Sequence, residues 1–358
     1  MKHRIALAVG ALLAALLLAE GVLRALDYQP DVLALFEPRS GTGFKLQPDL
    51  DVSTTVRGRD VRITTNSLGL RGPEPDATRS RQRVVFLGDS FTFGLWASSD
   101  ADTFVAQVGE QLGVEAINAG VPGYGYGDMR LALEQDVVPL KPYLVVLVTY
   151  NGNDILDSFL GTDRYRVTGN GALEQDRDGI ARKVPADVLA ATPVPGGRFV
   201  DRSPLLRLAR GAARAIAPSR EPAHDPGTAW TSDLFWSRTN LPPWAADAKA
   251  AAIQELAALD QACRDNEIFL AVVALPYAQQ VTSPELFGAE HDIDLPMKDV
   301  QAIATKGGRM FLDLRPPMTA AGGELYLPGE GHLTDVGHTV VAAEITAFLK
   351  RTIFTAGD

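Results

Sequence analysis

Apolar and polar positions fall into three patterns along the 358-residue chain. The first is an uncharged run, residues 5–19, preceded by Lys2 and Arg4. As a helix it spans about 22 Å, short of the roughly 30 Å hydrocarbon core. Glu20 and Arg24, spaced i,i+4, predict an ion pair, while Val22, Leu23, Ala25 and Leu26 continue the apolar face. A basic start before an apolar run predicts a signal anchor in residues 1–26. A cleaved signal peptide is the first alternative, although Leu17 spoils the small-x-small pattern before a cut after Ala19. A buried N-terminal helix is the second. The N-terminal positive charge places the rest of the chain outside the cytoplasm, periplasmic or extracellular.

The second pattern is strict alternation. In residues 52–65, Val52, Thr54 and Val56 precede Arg57-Gly58-Arg59-Asp60, and Val61, Ile63 and Thr65 follow. This predicts a hairpin on an exposed face, inside an N-terminal extension of residues 27–80.

The third pattern begins near residue 81 and runs to 350. Short apolar runs predict strands at 84–87, 114–118, 144–150, 268–275 and 310–314. Helical patterns occupy 103–112, 127–140, 245–266 and 336–352, the last capped by Thr334 or Asp335. Strands alternating with helices predict an α/β domain with a five-stranded parallel sheet between two helical layers. Residues 155–243 break the rhythm with Pro185, Pro193, Pro195, Pro218, Pro222, Pro226, Pro242 and Pro243. They read as a long insertion after the third strand. Loops of this length are often functional.

Composition narrows the chemistry. Apolar residues make up 46% and charged residues 22%, which excludes a wholly disordered chain, a collagen and a multi-span membrane protein. The formal charge of −10 argues against binding a phosphate backbone, so no nucleic-acid partner is expected. The single cysteine, Cys263, excludes an internal disulfide and a cysteine-built zinc site. His3, His224 and His291 are isolated, and Asp154 with Asp157 are too few for a metal site. Gly-Tyr-Gly-Tyr-Gly at 123–127 lacks the lysine of a P-loop. No metal or cofactor is expected.

Polar clusters sit where ligands collect in parallel sheets, at the carboxyl ends of the strands. Gly88-Asp89-Ser90 follows the first strand. Asn118-Ala119-Gly120-Val121-Pro122-Gly123 ends the second, and Asn151-Gly152-Asn153-Asp154 follows the third. Gly329-Glu330-Gly331-His332-Leu333-Thr334 precedes the last helix. Any one of these alone reads as a turn; four in this order do not.

These residues resemble the SGNH (GDSL-like) hydrolase family. Gly88-Asp89-Ser90 is similar to its nucleophile block, Gly123 to its glycine block, Asn153 to its asparagine block and His332 to its histidine block. Thr65-Asn66-Ser67-Leu68-Gly69-Leu70-Arg71-Gly72 is similar to a membrane-anchored bacterial subset. The resemblance implies the flavodoxin-like three-layer fold and a serine esterase. Ser90 would be the nucleophile and His332 its base, because a serine hydroxyl needs a group that takes its proton as it attacks. The Ser90 and Gly123 backbone N–H groups and the Asn153 amide would form the oxyanion hole. Asp335-Val336-Gly337-His338 matches the family's Asp-x-x-His spacing literally, so His338 competes with His332. Its place in the first turn of the last helix favours His332, with Asp335 as a helix N-terminal acid.

The orienting acid departs from the family pattern. The positions two and three before His332 hold Glu330 and Gly329. Glu330 is the candidate, with a backbone carbonyl or Asp335 as alternatives. Asp89 reads as a structural hydrogen-bonder, and Asn153-Asp154 has the bland alternative of a helix-capping turn. Trp230, Trp236 and Trp244 read as packing the insertion against the core, with a sugar-stacking wall as the sharper alternative. The expected substrate class is acylated small molecules or carbohydrate, O-acetyl esters of envelope polysaccharide above all. A polysaccharide O-acetyltransferase using the same residues, and a non-catalytic carbohydrate-binding protein, are the rival readings.

Overall fold

The computed structural model describes residues 2–25, 33–39, 43–56, 58–150, 152–187, 203, 205–206, 234–328 and 331–354. In chain order the elements are α1 (Lys2–Ala25), β1 (Phe36–Pro38), β2 (Phe44–Leu46), β3 (Asp51–Val56), β4 (Arg59–Thr64) and β5 (Arg83–Gly88). Next come α2 (Ser90–Phe93), α3 (Phe104–Leu112), β6 (Glu115–Gly120), α4 (Tyr126–Ala132), β7 (Leu144–Tyr150) and α5 (Asp154–Leu160). The chain continues with β8 (Tyr165–Val167), β9 (Leu173–Gln175), α6 (Arg177–Ala181) and α7 (Pro243–Asp265). Last are β10 (Phe269–Leu275), α8 (Ala278–Thr282), α9 (Leu295–Lys306), β11 (Met310–Asp313), α10 (Arg315–Ala321) and α11 (Asp335–Thr352).

Five parallel strands lie in the order β11-β10-β7-β5-β6. Numbered within the sheet this is 2-1-3-4-5, the flavodoxin-like order. Alternate residues feed opposite faces, as the period of two requires. Val85, Leu87, Val145, Leu147, Leu270 and Val272 pack under α4, α5, α7 and α9. Val84, Phe86, Val146, Val148, Ala271 and Val273 pack under α3 and α11. The result is the expected three-layer α/β/α arrangement. The strand order reverses between β5 and β7, so the switch-point crevice opens at the carboxyl ends of those two strands, just before Ser90 and Asn153.

Several local expectations are corrected. The β3–β4 hairpin pairs Val56 with Arg59, so Arg59 and Asp60 are strand residues and the turn is two residues shorter than the alternation suggests. Its Val61 and Ile63 are buried rather than exposed. The helix expected at 127–140 is α4 followed by a π turn (Leu133–Val137) and a 3-10 turn (Val138–Leu140). Pro139 has no N–H to continue the regular ladder, and the backbone changes period as it approaches that residue. The insertion after the third strand begins with regular structure: α5 starts four residues beyond β7. Trp236 is fully buried against Phe235, with ring centroids 5.0 Å apart, and Trp244 stacks on Phe235 at 5.8 Å. Trp236 thus packs the end of the insertion onto the core, with Trp244 of α7 beside it; Trp230 lies outside the described residues.

The N-terminal helix is longer than the uncharged run alone. Its 24 residues span about 36 Å, and the stretch through Arg24 is long and apolar enough to cross a membrane. Leu7, Leu12, Leu13, Leu17 and Leu18 are exposed on it. The expected Glu20–Arg24 pair forms at 2.7 Å.

Candidate active site

Strand β5 ends at Gly88, and the chain turns at once into the single-turn helix α2, whose first residue is Ser90. Asp89 makes the turn possible. Its Oδ1 accepts from the Phe91 backbone N–H at 2.9 Å, an N-cap bond, so it is the structural hydrogen-bonder that its position suggests. Burial pushes its carboxyl up to about 6, against the opposing hydrogen bond from Phe91 and the charge of His332. The other end of α2 is held as firmly. The Phe93 carbonyl accepts from Arg71 Nη1 at 2.9 Å and from Asn118 Nδ2 at 3.2 Å. Gly94 O accepts from Arg71 at 2.7 Å, and Thr92 O from Asn118 at 2.9 Å. Arg71 is itself buried and paired with Asp100 at 2.7 Å. These bonds satisfy carbonyls that a four-residue helix leaves orphaned, and they fix where Ser90 points.

His332 arrives from the far end of the chain. Its Nε2 lies 2.8 Å from Ser90 Oγ. The loop that carries it is zipped to residues 325–327: Leu327 N–H donates to His332 O at 2.8 Å, Thr334 N–H to Leu325 O at 2.9 Å, and Tyr326 bridges Leu333. Gly337 permits this, since a Cβ there would meet Leu325 O at 2.2 Å. The imidazole stacks on Phe91 at 4.7 Å, and Phe91 stacks on Tyr150 at 3.8 Å. Glu330, the expected orienting acid, lies outside the described residues.

The rival histidine occupies a different place. His338 is 1% exposed, its Nδ1 accepts from Phe104 N–H at 3.3 Å, and its ring stacks on Phe104 at 5.6 Å. Asp335 bonds to the hairpin side of the molecule: it accepts from Ser98 N–H at 3.0 Å and pairs with Arg59 at 2.5 Å, tying the hairpin to α11. Burial, with the charge of Arg71 next, pushes His338 down to about 3. The unfolded chain binds this proton below about 6.5 and the folded chain does not until about 3. His338 therefore contributes stability that is full above pH 6.5 and falls away toward pH 3, a loss of about 2 kcal/mol by pH 5. His338→Phe should remove that slope. Urea unfolding of both proteins at pH 7.5 and pH 5 checks it, and equal losses in the two would reject the assignment.

The remaining predicted residues line the neighbouring strand ends. Gly123 sits in the turn after β6 with φ +87°, a left-handed conformation that favours glycine. The turn is pinned to β5 by Val121 N–H donating to Gly88 O at 3.1 Å. Asn153 occupies the N-cap position of α5, yet its side chain makes no cap bond, and its Oδ1 is buried without a partner among the described residues. The bland capping role is thus not the one it plays. Asp154 closes that turn instead, accepting from Tyr150 N–H at 2.7 Å. Burial and the nearby Asp89 carboxylate push Asp154 well above the usual carboxylate range. No group of three or more His, Cys, Asp or Glu residues suited to a metal occurs among the described residues.

Arg71 and Asn118, which hold α2, carry no local signal of that role, although Arg71 belongs to the 65–72 motif and Asn118 opens the second strand-end cluster. Their partners lie more than twenty residues away.

No family model matches the chain, and no curated protein matches it significantly. Among solved structures that match is a lipolytic protein of the G-D-S-L family from Desulfitobacterium hafniense DCB-2, at 14% identity and TM-score 0.40, covering 75% of this chain and 99% of that one. Another is a lipase/acylhydrolase from Enterococcus faecalis, at 17% identity and TM-score 0.40, covering 75% and 96%. A third is an acetylxylan esterase from Geobacillus stearothermophilus, at 13% identity and TM-score 0.41, covering 75% and 94%. The chain's own strand order and Ser90–His332 contact carry its functional reading.

Proposed function

We propose that the chain is a serine esterase of SGNH type. The supporting observation is the 2.8 Å contact of His332 Nε2 with Ser90 Oγ at the switch point of the sheet. Ser90 Oγ attacks the ester carbonyl while His332 takes its proton. His332 then returns that proton to the leaving alkoxide, and an acyl-serine remains. Water attacks the acyl-serine with the same histidine as base, which releases the acid and restores Ser90. The tetrahedral oxyanion is received by the backbone N–H groups of Ser90 and Gly123 and by the Asn153 amide. Glu330, two residues before His332, is the acid assigned to orient it. Every group in this scheme is an ordinary side chain or backbone amide.

The substrate class that suits this reading is O-acylated carbohydrate of the cell envelope, with acetyl the favoured acyl group. It follows from the family resemblance together with α1, which we read as a signal anchor holding the catalytic domain outside the cytoplasm. Removing residues 1–26 should convert a membrane-associated protein into a soluble one that still cleaves a short-chain aryl ester. The check is fractionation and turnover of the 27–358 fragment beside the full chain. A fragment that still pellets with membranes would move the attachment to another surface, and full-length protein inert toward aryl esters would count against the esterase reading.

A further inference from the structure

The segment inserted after the third strand reaches into the proposed oxyanion hole. Arg164 lies in the single 3-10 turn Thr162–Arg164 between α5 and β8, and it is 2% exposed. Its Nη2 donates to the Gly123 carbonyl at 2.5 Å, across forty-one positions of sequence. Its Nη1 donates to the carbonyls of Asp157 and Gly161, both at 2.8 Å, and Nη2 pairs with the Asp157 carboxylate at 3.1 Å. The guanidinium also lies over the Tyr165 ring at 4.7 Å. The same Tyr165 ring closes over Gly123, where a Cβ would come within 3.2 Å of it.

We infer that Arg164 is a positioning residue for the Gly123 oxyanion donor, so that the insertion is part of the catalytic apparatus. The inference rests on the esterase reading above. Gly123 has no side chain to lock its rotation, and its φ of +87° is one of several values open to glycine. The N–H that would receive the oxyanion lies on one side of the Gly123 Cα and the carbonyl gripped by Arg164 on the other. Val121 N–H on Gly88 O and Tyr124 N–H on Val121 O, at 3.1 and 3.2 Å, hold the turn's two ends. Arg164 supplies the third fixed point. A planar fork on three carbonyls sets direction as well as distance, which a lysine ammonium does not reproduce. The donor is then aimed before substrate arrives, the condition under which such donors are most effective.

The test is steady-state kinetics of full-length Arg164→Ala and Arg164→Lys on a short-chain aryl ester, with rates expressed per site titrated by a fluorophosphonate. Arg164→Ala should lower kcat roughly 10- to 100-fold with KM within about twofold, because misplaced catalytic groups cost the chemical step. Arg164→Lys should fall between it and wild type. A purely structural arginine would instead lower the melting temperature and the number of titratable sites, leaving kcat per site unchanged. That result would overturn the inference. Should Arg164→Ala fail to fold because Asp157 loses its partner, Arg164→Ala/Asp157→Asn removes the stranded carboxylate, and the same kcat criterion applies. A wild-type protein that neither turns over nor is labelled would fail by the esterase reading. A wild type that turns over beside an equally fast Arg164→Ala would fail by this inference alone.

Discussion

Ser90→Ala should reduce ester hydrolysis by at least three orders of magnitude, about 4 kcal/mol of transition-state stabilisation, and leave the fold unchanged. The fold is insulated from this change because α2 is held through its backbone. Asp89 caps its first turn, Gly94 and Leu95 donate to the Ser90 carbonyl, and Arg71 with Asn118 take the carbonyls at its far end. The hydroxyl is needed for its contact with His332, through which it would lose its proton as it attacks. Turnover and thermal melting of the two proteins, side by side, measure both halves of the expectation. More than roughly a tenth of wild-type activity in the variant would remove Ser90 from the nucleophile role.

His332→Ala should be as damaging as Ser90→Ala, with the double variant little worse than either, since nucleophile and base act as one unit. His338→Ala should behave in the opposite way. It strands the Phe104 N–H in the core and leaves a void beside α3, a stability loss of about 1–3 kcal/mol from the orphaned donor alone. Its kcat per folded molecule should stay near wild type, because the ring faces Phe104 rather than Ser90. Kinetics of the three variants, each paired with a denaturation curve, separate the two histidines. A catalytic collapse in His338→Ala with a functional His332→Ala would reverse their roles.

The strand ends were the legible part of this chain. Val84, Leu87 and the run from Leu144 to Tyr150 announce buried parallel strands by composition, and Ser90 and Asn153 follow them so closely that no packing knowledge is needed to bring them together. The different placements of His332 and His338 were also local. Thr334 caps α11 through its contact with Gly337 N–H at 3.0 Å, which puts His338 on a helix face turned to the core and leaves His332 in a loop. The crossover helix α9 was legible in principle: Pro296, Met297, Val300 and Ala304 are its buried residues, the last three at helical spacing. No element is predicted between the strands at 268–275 and 310–314, although Pro296 in the first turn of α9 is well tolerated there. The contacts of Arg71, Asn118 and Arg164 were not legible. Each acts on backbone carbonyls of a distant turn, and a carbonyl leaves no mark in the sequence that names its partner. The burial of Val61 and Ile63 was hidden for a related reason. Alternation shows that a strand has two faces, and only the tertiary packing decides whether the core covers one of them.

Covalent labelling tests the central claim most directly. Full-length protein treated with a fluorophosphonate should acquire one phosphonyl group per molecule, and peptide mapping by mass spectrometry should place it on Ser90. Ser90→Ala should take up none, and His332→Ala should react far more slowly, because the hydroxyl then lacks its base. Stoichiometric labelling at another serine, or equal labelling of wild type and Ser90→Ala, would contradict the proposed nucleophile and the esterase mechanism built on it.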